Sequence, residues 1–157
     1  MSMTSMMNYP AQTDLDLHEH SAKQLFNKVW EWVEKTDRTP EETDMMIHAA
    51  HASRYHWGVV GRELQFARGE WQISRVYAVA GMAEASMYHA RRCMDICRKF
   101  SLGAFDTAYA YEALARASSL MNKAEDAAGY KMRAEELARH VDDEKGLKHL
   151  LSDLQTI

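Results

Sequence analysis

Residues 67–98, ARGEWQISRVYAVAGMAEASMYHARRCMDICR, lie over residues 108–139, AYAYEALARASSLMNKAEDAAGYKMRAEELAR, without a gap, at an offset of 41. Six pairs are identical: Ala67/Ala108, Arg75/Arg116, Ala83/Ala124, Glu84/Glu125, Arg92/Arg133 and Arg98/Arg139. Ile73/Leu114, Val79/Leu120, Asp95/Glu136 and Ile96/Leu137 are conservative. The small residues say more than the identities. Ser74, Ser86 and Cys93 fall opposite Ala115, Ala127 and Ala134, one on a first helix and two on a second. Small side chains at those places let two helices approach closely. Self-similarity at such a period marks stacked helical hairpins, since each hairpin needs a neighbour to bury its apolar face.

Outward from this pair, the chain continues in the same manner. Leu17, Leu25, Phe26, Val29, Trp32 and Val33 recur at three- and four-residue spacing and predict a helix over 16–35. Thr39-Pro40-Glu41-Glu42 predicts a restart, with Thr39 as N-cap, Pro40 at the first helical position and Glu42 closing a capping box. Further helices are expected over 63–81, 83–99, 105–121 and 124–141, with Gly61 and Ser101-Leu102-Gly103 at turns. Asp142-Asp143-Glu144 opens a last helix to Leu154, amphipathic through Leu147, Leu150, Leu151 and Leu154, which would cap the stack.

Tyr111-Glu112-Ala113-Leu114-Ala115, followed by Ala127 and Ala134, resembles the tetratricopeptide repeat family, as do Ile73-Ser74, Tyr77, Gly81, Ser86 and Cys93 in the preceding unit. The resemblance covers residues 62–141. The expected fold is all-α: about seven helices forming antiparallel hairpins stacked as a short tetratricopeptide-like right-handed superhelix. The expected organisation is a loosely ordered tail over 1–14 and one helical domain over 15–157. Within that domain a hairpin over 16–60, units over 62–100 and 104–141 and a capping helix over 144–155 follow one another. Trp30 with Trp71 and His48 with His89 repeat the same offset, so the first hairpin reads as a degenerate unit.

The totals agree with a helical domain. The 157 residues are about one domain's worth, and two prolines and seven glycines are too few for a turn-rich β-sandwich. A net charge of −4 excludes the bulk electrostatics of a nucleic-acid or anionic-membrane binder. Charge is placed unevenly: 5 basic and 9 acidic side chains over 1–60, 7 and 4 over 61–100, 7 and 10 over 101–157. Neighbouring hairpins that complement one another account for that. No run approaches the ~18 apolar residues of a membrane span. The N-terminal stretch lacks the charged and apolar regions of a signal peptide. Cys93 and Cys97 share one helix face but sit poorly for a disulfide, and reduced thiols suit a cytoplasm.

No phosphate-binding loop, dinucleotide fingerprint, nucleophile elbow or His-Glu-x-x-His run is present, so neither catalysis nor a cofactor is expected. The resemblance instead implies a groove lined by the first helix of each unit, receiving a peptide or a partner protein. Carried over, its residues are Arg68, Trp71, Arg75, Ala78 and Val79, then Tyr109, Glu112, Arg116, Ser119 and Leu120. Arg75 and Arg116 would present two guanidinium groups to a carboxylate, with Trp71 as an apolar anchor. The competing reading joins both arginines to acids such as Glu112 and places Trp71 in the core. Trp30, Trp32 and Trp57 would support a homodimer. A rival function uses the histidines of the second helix, His48, His51 and His56, with His18 and His20 on the first helix, to hold a metal or small ligand with a carboxylate such as Asp44.

Overall fold

The computed structural model describes residues 11–157, and all regular structure among them is helical: α1 (Gln12–Val33), α2 (Pro40–Val60), α3 (Glu63–Val79), α4 (Ala83–Lys99), α5 (Ala104–Leu120), α6 (Ala124–Ala138) and α7 (Glu144–Leu154). No helix among the described residues is long and apolar enough to cross a membrane.

The Thr39 capping box is formed: the Glu42 amide donates to Oγ1 of Thr39 at 3.1 Å, and the Thr39 amide donates to the Glu42 carboxylate at 3.4 Å. Residues 1–10 of the expected tail lie outside the described residues, but 12–14 are helical, which corrects the boundary at 14. Asp14 in the first turn favours that extra turn through the helix dipole, and Gln12 Nε2 donates to Asp16 Oδ1 at 3.0 Å. The third and sixth helices end sooner than expected, at Val79 and Ala138. Gly81 in the left-handed region at φ 78° carries the chain out of the first of these ends.

Packing follows chain order: α1 on α2, α3 on α4 and α5 on α6 as hairpins, joined by α2 on α3 and α4 on α5. The odd helices also meet in succession, α1 with α3, α3 with α5 and α5 with α7, whereas the backbones of α2, α4 and α6 stay apart, α2 and α4 meeting through the rings of His51 and His89, 5.4 Å apart. Two layers result, a continuous odd layer and an opened-out even one, so the odd layer lies on the inside of the stack.

The matched small residues sit where the helices of each hairpin cross, and all six are buried. In the first unit the close approach is also hydrogen-bonded both ways. Ser74 Oγ donates to the Ser86 carbonyl and Ser86 Oγ to the Ser74 carbonyl, each at 2.8 Å. Ser53 Oγ, donating to the Ala22 carbonyl, pins α2 to α1, and Gln72 Nε2, donating to the Phe26 carbonyl, pins α3 to α1. Leu150 and Leu154 seat α7 on Ala108, Ala134 and Ala138. The three tryptophans expected to support a dimer differ in their surroundings. Trp57 is buried, Trp32 packs on the cluster around Val29 and Met46, and Trp30 stacks beside Trp71.

Candidate functional site

The odd layer places equivalent residues in a row, because each unit repeats at 41 and the helices align in register. Trp30, Trp71 and Glu112 are successive members of one row. Trp30 and Trp71 have ring centroids 5.3 Å apart, and Trp71 Nε1 donates to Glu112 Oε2 at 2.8 Å.

Glu112 is 1% exposed and gathers the donors around it. Arg75 Nη1 donates to its Oε1 at 3.2 Å, and Arg116 donates to the same oxygen through Nε at 3.0 Å and Nη2 at 2.8 Å. Arg116 reaches on to the Asp153 carbonyl and to Thr156 Oγ1. Tyr109 donates its hydroxyl to Asp153 Oδ2 at 2.8 Å, and Arg75 Nη2 lies 3.9 Å from Asp153 Oδ1. Burial raises the Tyr109 phenol far above its usual pKa, aided by the bond to Asp153, so it stays a neutral donor. Burial lowers the Arg75 pKa together with the charge of Arg116, while Glu112 and Asp153 oppose that shift. This network ties α3, α5 and α7 together. The guanidinium groups expected in the groove are therefore held by Glu112, with Arg75 18% and Arg116 15% exposed at the side chain.

Beside the network a concavity of about 540 Å³ opens on the odd layer. From α1 it is lined by Phe26, Trp30 and Val33, with Glu34 just beyond the helix; from α3 by Ala67, Arg68, Trp71 and Arg75. Phe105, Asp106 and Tyr109 of α5, Gly146, His149 and Asp153 of α7, and Cys93 of α4 complete it. Five rings run across it as a continuous row: Phe26 to Trp30 at 5.9 Å, Trp30 to Trp71 at 5.3 Å, Trp71 to Tyr109 at 5.0 Å and Tyr109 to Phe105 at 5.1 Å. Arg68 lies against this row, paired to Asp106 by two hydrogen bonds.

Of the residues read from the sequence, Arg68, Trp71, Arg75 and Tyr109 line the concavity, and Glu112 and Arg116 stand behind it. Val79 packs into the cluster of α1, α2 and α3, and Leu120 is exposed; neither they nor Ala78 and Ser119 line it. Phe26, Trp30, Glu34, Phe105, His149 and Asp153 were missed. The offset of 41 already pointed at Trp30. The contribution of α7 had no signal in the repeat.

The histidines of α2 do not converge on one point. His48 is exposed, His51 Nε2 lies 2.8 Å from the Tyr77 hydroxyl, and His56 Nδ1 lies 2.7 Å from His18 Nδ1. His89 Nδ1 lies 2.7 Å from Glu70 Oε2. No group of three or more His, Cys, Asp or Glu side chains that could hold a metal ion occurs among the described residues. Cys93 and Cys97 are free and buried; their mutual hydrogen bond and burial push the Cys93 thiol well up, which keeps it protonated.

Burial lowers the pKa of His51, with the charge of His89 adding to it, and burial and then His18 lower that of His56. Both histidines protonate in the unfolded chain near the ordinary imidazole value of 6.5 and in the folded chain only at lower pH. Their contribution to stability is complete above that value and falls as the pH drops through it. Burial raises the Glu70 carboxyl, but the hydrogen bond from His89 and the charges of His89, Arg54 and Arg92 outweigh it and leave its pKa depressed. That contribution is lost at more acid pH, below the ordinary carboxyl value of 4.5. Melting followed from about pH 8 to about pH 5 is expected to show Tm declining once the pH passes below the histidine range. The decline becomes shallower in His56→Phe; a flat profile in the parent chain would show that neither ring is held neutral.

No family model, curated protein or solved structure matches the chain.

Proposed function

We propose that the chain is a tetratricopeptide-like interaction module without chemistry of its own, and that the concavity of its odd layer takes up a segment of a partner protein. The observation that carries this reading is the row of five half-buried rings across an open cavity of about 540 Å³. Rings packed only for stability close over one another, whereas these leave room for one or two further side chains. Aromatic residues in such a recess are the usual anchors of interfaces. The arginines no longer support the reading, since Glu112 holds them. Free, buried thiols suit a reducing compartment such as the cytoplasm, and a second copy of the chain remains among the partners to test.

The experiment is selection from a displayed random-peptide library on the folded chain, with binding mapped by amide chemical shifts. Selected peptides should shift Trp30, Trp71, Tyr109 and their neighbours and lose about tenfold or more in affinity on Trp30→Ala, a loss of about 1.4 kcal/mol. Peptides that map instead to α2, α4 and α6, or a library yielding none, would overturn the proposal.

A further inference from the structure

Four donor side chains around the concavity already have acceptors. The Trp71 N–H goes to Glu112, the Tyr109 hydroxyl to Asp153, the Arg75 guanidinium to Glu112 and the Arg68 guanidinium to Asp106. The rest of the lining is ring surface, acceptor oxygen, the Trp30 indole and the exposed His149 imidazole. Glu34 is exposed, lines the cavity one helical turn beyond Trp30 and makes no ion pair among the described residues. A recess of aromatic faces with a free carboxylate at its edge, and with each lining guanidinium already paired, is complementary to a positive charge on an apolar stem.

We infer that the concavity receives a lysine or arginine side chain of the partner segment. Its stem lies along the rings of Trp30, Trp71 and Tyr109, and its charged head lies at Glu34. This rests on the interaction reading above and gives it a chemistry. An acidic segment is disfavoured, because each guanidinium lining the recess has its carboxylate already.

The test is titration of the full chain, followed by tryptophan fluorescence, with capped tetra-arginine, tetralysine, tetraglutamate and neutral phenylalanine-containing peptides. Because the chain carries a net charge of −4, general attraction must be separated from the site. Glu34→Gln is compared with Glu135→Gln, the same charge change at an exposed position of the outer helix α6. The basic peptides should bind, Glu34→Gln should weaken them about tenfold and Glu135→Gln by less than twofold. Trp30→Leu, which keeps apolar bulk but removes the ring, should also weaken them about tenfold. Equal effects of the two glutamine variants overturn the inference. Binding of the phenylalanine or glutamate peptide in place of the basic ones also overturns it while leaving the interaction module standing. A concentration-dependent dimer that the basic peptides do not dissociate assigns the recess to a second copy and overturns it as well.

Discussion

Glu112→Ala is expected to lower stability by about 3–5 kcal/mol, because it removes the carboxylate that holds two largely buried guanidinium groups and leaves Arg75 only the more distant Asp153 at 3.9 Å. It also strands the indole N–H of Trp71, which donates to that carboxylate. For a chain of this size the loss is a fall in Tm of about 6–20 °C, read by circular dichroism. The cost comes from uncompensated charge rather than from the worth of the ion pairs, and that distinction can be measured. Replacing the cluster as a whole, Glu112→Leu with Arg75→Met and Arg116→Met, should recover most of the stability, since a well-packed apolar substitute often matches a buried ion network. Reversing both arginines to glutamate, by contrast, surrounds Glu112 with like charge and unfolds the chain. That substitution therefore says nothing about the recess. A Glu112→Ala variant that melts within a degree of the parent would show that the guanidinium groups are free, and would return them to the groove.

Leu150→Ala carries the second large effect. Leu150 is fully buried and seats α7 on the alanines of α5 and α6. Truncating a buried leucine costs about 2–5 kcal/mol, the range reflecting how far the site collapses. Few other contacts hold α7: its backbone lies against α5 and α6, and from α3 only the Arg75 guanidinium reaches it, 3.9 Å from Asp153. The loss should therefore be local: amide exchange accelerates in α7 before it does in α3 or α4, and the Tyr109–Asp153 bond loosens with it. Uniform acceleration through all the helices would show that α7 is part of one cooperative unit.

The architecture was legible because its signals are local. Thr39, Pro40 and Glu42 specify a helix start within four residues, and Ser74, Ser86, Ala115 and Ala127 mark crossings by their size alone. Arg116 and Glu112, four apart on one helix, were a readable pair. That Arg75 joins them from another helix, 37 residues away, depends on register between helices and was one of two readings left open. The aromatic row was half visible, in the offset shared by Trp30 and Trp71. Phe105 and Phe26 join it through helix rotation, and Asp153 through the docking of α7, neither of which any repeat of the sequence encodes.

The succession of contacts along the odd layer has a mechanical consequence. Contacts run from each helix to its near neighbours in the chain, and none joins α1 to α7. The fold is thus an open chain of couplings, which can fray from either end without disturbing the other. Glu34 at one end and Asp153 at the other border the same recess. An occupant touching both acts as a strut, closing the open chain into a ring, so that the first and last helices, independent in the free protein, rise and fall in stability together.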